Sequence, residues 1–178
     1  MKSIAVYCGS SDKIADKYLV AARQLGQFLA QKGIRVVYGA NSTGMMGALA
    51  TAAMEAGGEV IGVMLEMFNT PQLALSTTTR FEVFPDIHTR LSRMMYLAEG
   101  FIALPGGYGT MDEFFQTVTW AQIGLHHKPI GLLNIEGYYD QLLSFMHHME
   151  AEGFMYTGHK DLYLVEDTPE ALVEAMLA

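Results

Sequence analysis

Two acidic residues, Asp112 and Glu113, follow directly on a glycine-rich turn, Pro105-Gly106-Gly107-Tyr108-Gly109-Thr110. Just upstream, Phe101 to Leu104 is a short apolar run suited to a buried strand. Pro105 and the three glycines break that strand. Thr110 is placed to cap a following helix, with Asp112 and Glu113 in its first turn. Such a turn lets backbone N–H groups converge on an anion, and the helix N-terminus adds about half a positive charge. A phosphate is the natural occupant, and a carboxylate beside it can act on whatever the phosphate carries. Neighbours on a helix point about 100° apart, so Asp112 and Glu113 do not both face one substrate atom. The plainer reading of Glu113 is a favourable charge in a first helical turn, worth about 0.3–1 kcal/mol.

The elements around this stretch alternate. Ser3 to Cys8 reads as a first strand, followed by a hydroxyl-bearing loop, Gly9-Ser10-Ser11. Tyr18, Ala22, Leu25, Phe28 and Leu29 fall at helical spacing, and Gly33 ends that helix. Ile34 to Tyr38 is a second strand, and Gly39-Ala-Asn-Ser-Thr-Gly44 is a second glycine-bearing turn, with a helix to Ala56 behind it. Val60 to Met64 is a third strand. Residues 65–79 read as a loop with one helical turn. Phe81 to Phe84 is a fourth strand. Asp86 caps a helix running to Glu99, closed by Gly100. After the central strand and its helix, Ile130 to Leu133 is a strand and Tyr138 to Glu152 a helix. Leu162 to Val165 is the last strand, and Thr168-Pro169 opens the last helix with an N-cap and a first-turn proline.

This order predicts one α/β domain over residues 1–178, a Rossmann-like doubly wound parallel sheet with helices on both faces. In such sheets ligands bind past the C-terminal ends of the strands. The loops Gly9–Ser11, Gly39–Gly44, Pro105–Thr110 and Asn134–Gly137 are all expected there. The dinucleotide pattern GxGxxG is missing after the first strand, and Asn41 stands where its middle glycine would fall in the second turn. No Gly-Lys-Ser/Thr occurs either. A mononucleotide or sugar phosphate therefore fits better than a dinucleotide.

Composition narrows the class. A formal charge of −8 argues against nucleic-acid binding, so a phosphate site must rely on amides and a few local arginines. No apolar run is long enough for a membrane span, and the N-terminus does not read as a signal peptide. A cytoplasmic enzyme or binding protein is the expectation. Cys8 is the only cysteine, which excludes intrachain disulfides and points to packing. The His126-His127 and His147-His148 pairs are adjacent and expected at surfaces, and no metal is expected. Met45, Met46, Met54, Met94, Met95 and Trp120 read as packing residues.

The motif Pro105-Gly-Gly-Tyr-Gly-Thr-Met-Asp-Glu113 resembles the PGGxGTxxE signature of the LOG (Lonely Guy) proteins. These are cytokinin riboside 5′-monophosphate phosphoribohydrolases, long labelled lysine decarboxylases. The resemblance runs along nearly the whole chain, through Cys8–Ser11, Val37–Gly39, Gly44–Gly47, Gly57–Gly58, His88 with Arg90, Thr119-Trp120, Lys128-Pro129 and Asn134–Tyr139. It implies a Rossmann-like dimer with active sites near the subunit interface. It also implies hydrolysis of the N-glycosidic bond of a nucleoside 5′-monophosphate, without a cofactor. It marks Arg90 and Glu113 as catalytic. Arg90 either supports the leaving base or grips the phosphate; the plainer reading is a surface charge sharing a helix face with Arg93. The phosphate and ribose are expected on Gly106, Gly107, Tyr108, Gly109, Thr110, Ser10 and Gly44, with Asn41, Gln72, Leu91 and Thr119 as further substrate contacts. Ala40-Asn41, Leu91, Gln72 and Gln116 depart from the family pattern. Gln72 and Leu91 keep a second class of function open, a carrier that holds the nucleotide without cutting it.

Overall fold

The computed structural model describes residues 1–155 and 162–178. Its framework is a parallel sheet in the order β4-β3-β2-β1-β5-β6-β7. The strands are β1 (Ser3–Tyr7), β2 (Arg35–Tyr38), β3 (Val60–Leu65), β4 (Arg80–Phe84), β5 (Gly100–Ala103), β6 (Ile130–Leu133) and β7 (Leu164–Glu166). The chain winds outward from β1 to β4, then returns to the other side of β1 as β5. That reversal leaves a crevice beyond the ends of β1 and β5, where Tyr7 pairs with Ala103.

Alternate residues of each buried strand serve opposite layers. Ile4 and Val6 of β1 pack under α1 (Asp16–Gln31), α2 (Gly44–Glu55) and α6 (Pro169–Leu177). Ala5 and Tyr7 pack under α3 (Ile87–Leu97), α4 (Tyr108–Gln122) and α5 (Asp140–Ala151). Both faces are thus covered, as the continuous apolar strands require.

Local caps behave as expected at two helices. Asp86 accepts from the amides of His88 and Thr89, each at 3.0 Å, and so fixes the start of α3. The Thr168 hydroxyl accepts from Ala171 N at the start of α6. Two boundaries differ from expectation. Gly100 does not terminate α3 but opens β5, where an added Cβ would lie 2.5 Å from Met1 Sδ. Thr110 is not a cap: Gly107 is the N-cap of α4, and Thr110 lies inside its first turn, buried against Gly106. Asp112 and Glu113 consequently fall in the second turn. The loop over residues 65–79 holds one 3-10 turn, Glu66–Phe68.

Candidate active site

A cleft of about 690 Å³ opens at the crevice between β1 and β5. It is lined by the loops that follow β1, β2 and β5, with Arg90 of α3 and Glu113 of α4 among its walls. Asn134–Gly137 does not line it. That loop faces a separate groove beside α1 and α6, and only Tyr138, just beyond it, reaches the cleft.

Arg90 and Glu113 are the buried charges of the cleft, 7% and 6% exposed. Thr110, Glu113 and Thr117 recur at i, i+3 and i+7, which turns one polar stripe of α4 inward. Asp112 is on another face, exposed at the rim, and accepts from Gln116 Nε2 at 2.8 Å. On α3, Arg90 is carried inward on the same face as Met94, four residues on. Its Nε donates to Val63 O at 3.0 Å and its Nη1 donates to Glu113 Oε1. Arg90 is therefore no surface charge. Arg93 has a different task, a two-bond fork onto Glu82 of β4 at 2.8 and 3.0 Å. Burial pushes the Glu113 carboxyl above its usual range, and the charge and hydrogen bond of Arg90 oppose that rise.

Room for the guanidinium is made by Gly39. A Cβ there would sit 2.5 Å from Arg90 Nη2. In the sequence Gly39 reads as part of a turn and of the Val37–Gly39 resemblance; its spatial neighbour, 51 residues along the chain, carries no local signal.

The two glycine turns are not equivalent. At the start of α2 the amides are already bonded: Gly44 N donates to Asp12 Oδ1 at 2.8 Å, and Met45 N and Met46 N donate to Gly9 O. Gly44 adopts φ +58°, and a Cβ would strike the Ser10 backbone, so its glycine serves loop packing. At the start of α4, among the described residues, no acceptor takes the amides of Gly106, Gly107, Tyr108 or Gly109. Those N–H groups, the helix dipole and the Thr110 hydroxyl give this end of the cleft the character suited to an anion. The Tyr108 side chain is 97% exposed, so only its backbone bears on the site.

The remaining expected contacts divide. Ser10 and Asn41 line the cleft. Asn41 Oδ1 accepts from Thr43 N at 2.9 Å and from Thr43 Oγ1 at 2.8 Å. Leu91 is core, packed under the sheet, and is not among the cleft residues. Gln72 and Thr119 are exposed and outside the cleft; Gln72 meets the second turn through its carbonyl, which accepts from Ser42 Oγ. The apolar wall of Met46, Met64, Leu65, Phe68, Leu73 and Ile87 carries no local signal in the sequence, since its members come from a helix, a strand end, a loop and a helix start. Cys8 is buried at the cleft floor, and burial raises its thiol well above the usual range, which fits the packing role expected of it. His127, His147 and His148 are exposed as expected, whereas His126 is half-buried, 5.3 Å from the Phe101 ring centroid.

Residues 46–176 match a family model described as "Possible lysine decarboxylase". A probable cytokinin riboside 5′-monophosphate phosphoribohydrolase of Oryza sativa subsp. japonica is 39% identical over 98% of this chain and 83% of its own length. A cytokinin riboside 5′-monophosphate phosphoribohydrolase of Arabidopsis thaliana is 40% identical over 97% of this chain and 80% of its own. One from Rhodococcoides fascians is 40% identical over 98% and 89%. Among solved structures, the molybdenum cofactor carrier protein from Chlamydomonas reinhardtii superposes with a TM-score of 0.75 at 23% identity, over 99% of this chain and 98% of the other. That likeness is one of fold.

Proposed function

The chain belongs to the LOG family of phosphoribohydrolases, and we propose on that footing that its cleft carries the family's reaction with Arg90 and Glu113 as the catalytic pair. It hydrolyses the N-glycosidic bond of a nucleoside 5′-monophosphate to free base and ribose 5-phosphate. The observation that carries the assignment of roles is the buried Arg90–Glu113 pair, set in the same cleft as a helix start whose amides lack acceptors.

In this reading the 5′-phosphate sits on the amides of residues 106–109 and the Thr110 hydroxyl. Glu113 lies four residues beyond Gly109, roughly 6 Å along the helix axis at 1.5 Å per residue. That is the scale of a ribose between its phosphate and its anomeric carbon. As the bond from C1′ to the base nitrogen breaks, its electron pair leaves with the base and positive charge builds on the ring. The Glu113 carboxylate stabilises that charge, and a water oxygen then bonds to C1′ while the proton it loses neutralises the departed base. Arg90 opposes the effect of burial on the Glu113 carboxyl and holds it in place. The base rests on the apolar wall, where Met46, Phe68 and Ile87 suit an adenine with an apolar N6 substituent. The reading includes a cytoplasmic homodimer, to which exposed Met67, Phe68 and Ile87 offer apolar contact.

Decarboxylation of lysine does not fit these residues. That chemistry needs a lysine to bind pyridoxal phosphate, and among the described residues none lines the cleft. Lys128 is engaged elsewhere, donating to Met95 O and Ala98 O at 2.7 Å each.

The test is base release. Purified protein is incubated with AMP and with isopentenyladenosine monophosphate, and free base is measured by chromatography. Glu113→Gln is expected to reduce release by roughly 100- to 1000-fold, the scale of one well-aimed electrostatic contact. Tight binding of both nucleotides by the wild-type protein with no base released would favour a carrier and refute the hydrolase.

A further inference from the structure

The carbonyls of the glycine turn are held as deliberately as its amides are free. Leu104 O accepts from Tyr139 OH at 2.6 Å, Pro105 O from Gly9 N at 3.1 Å, and Gly106 O from Tyr138 OH at 2.8 Å. Three consecutive carbonyls thus meet three donors from outside the turn. A trans peptide is planar, with its C=O and N–H pointing opposite ways. Holding a carbonyl therefore aims the N–H of the next residue. The bond to Pro105 O aims Gly106 N–H, and the bond to Gly106 O aims Gly107 N–H. The bond to Leu104 O aims nothing, since the next nitrogen belongs to proline and carries no hydrogen.

We propose that Tyr138 is a positioning residue for the anion seat: its hydroxyl fixes the Gly106–Gly107 peptide so that Gly107 N–H faces the substrate phosphate. The inference rests on the phosphate position argued above. Two adjacent glycines leave this peptide free to rotate, so an outside anchor is what removes the entropy cost of ordering it at binding. The anchor is itself built. Asn134 Oδ1 accepts from Tyr139 N at 2.7 Å, and Asn134 Nδ2 donates to Asp140 Oδ1 at 2.8 Å, which fixes the chain entering α5. The Asn134–Gly137 loop thus serves the cleft without lining it. The Tyr138 ring stands edge-on to Tyr18 and Tyr139, with centroids 5.6 and 4.8 Å away. It is 43% exposed, so Tyr138→Phe keeps the ring packing and removes only the hydroxyl.

The two neighbouring tyrosines make the experiment self-controlled. Tyr138→Phe is expected to raise both the KM for AMP and the inhibition constant of ribose 5-phosphate by about three- to tenfold, the worth of one neutral hydrogen bond. The kcat and the inhibition constant of adenosine, which lacks a phosphate, stay within twofold of wild type. Tyr139→Phe is expected to lower the melting temperature and leave ribose 5-phosphate inhibition unchanged. Unchanged ribose 5-phosphate inhibition in Tyr138→Phe, equal weakening of adenosine, or equal weakening in Tyr139→Phe overturns the proposal. A 15N titration of the wild-type protein separates this from failure of the phosphate reading. If the Gly106 and Gly107 amide resonances move with ribose 5-phosphate, the seat stands whatever the variants do. If they do not, the seat and the proposal fall together.

Discussion

Gly39→Ala tests the active-site geometry from the cleft wall, through the position of Arg90. Its Cβ would lie 2.5 Å from Arg90 Nη2 and 3.1 Å from both Sδ and Cε of Met46. The methionine is flexible and moves aside. The guanidinium is not free to do so, because Nε is bonded to Val63 O and Nη1 to Glu113. A relief of about half an ångström or more must then drag the carboxylate or open the buried ion pair. Gly39 is not among the positive-φ residues, so alanine carries no backbone strain of its own there. Displacement on this scale costs roughly 100-fold in kcat, or about 2.7 kcal/mol. Overpacking costs about 1–3 kcal/mol of stability, a fall of about 2–12 °C in melting temperature. The assay is steady-state base release from AMP beside thermal melting, with inhibition by ribose 5-phosphate as a control for the untouched α4 amides. A folded Gly39→Ala protein whose kcat stays within about threefold of wild type would refute the idea that the Arg90–Glu113 geometry drives the reaction.

Burial raises Glu113, and the proposed reaction uses its carboxylate, so activity is expected to fall as acid protonates it. The acid limb of kcat/KM for AMP is therefore expected above 4.5, the ordinary value for a glutamate; a limb at or below that value contradicts the assignment. Asn41 Oδ1 is taken by the amide and hydroxyl of Thr43, which fixes the side-chain orientation and leaves Nδ2 as its donor toward the cleft. Asn41→Asp keeps an acceptor for Thr43 but removes that donor and adds a negative charge. It is expected to raise KM for AMP about tenfold with little change in melting temperature, and an unchanged KM removes Asn41 from the substrate contacts.

What the sequence made legible was local. Alternating strands and helices follow from apolar runs and periodicity, and the Asp86 and Thr168 caps from side chains a few residues from the amides they bind. Thr110 misled because a threonine after glycines looks like a cap, whereas Gly107 begins the helix and the Thr110 side chain fills the space over Gly106. Gly100 misled because glycines commonly end helices, yet here the strand needs a residue without a side chain beneath Met1 and Met176. The partners that define the cleft are far apart in the chain. Arg90 and Glu113 are 23 residues apart, and Tyr138 and Gly106 are 32 apart. Periodicity within an element says nothing about such pairs. Leu91 shows the converse: its place beside Arg90 suggested substrate, but one residue along a helix turns a side chain by about 100°, here into the core.

Stability alone does not account for the cleft. A buried arginine–glutamate pair gains less than its desolvation suggests, and apolar residues of the same volume commonly serve a core as well or better. Helix amides without acceptors are a second cost, which α2 avoids by bonding Gly9 O and Asp12, and which α4 does not. The turn before α4 even has its carbonyls fastened by three separate donors while its amides stay free. Two features that cost folding energy thus face one cavity of about 690 Å³, at the sheet's point of reversal. A ligand relieves both at once if it is anionic at one end and becomes cationic about one ribose away. A nucleoside monophosphate losing its base has that charge pattern in the transition state and not before it, so the proposed roles predict a site that holds the departing state more strongly than the substrate.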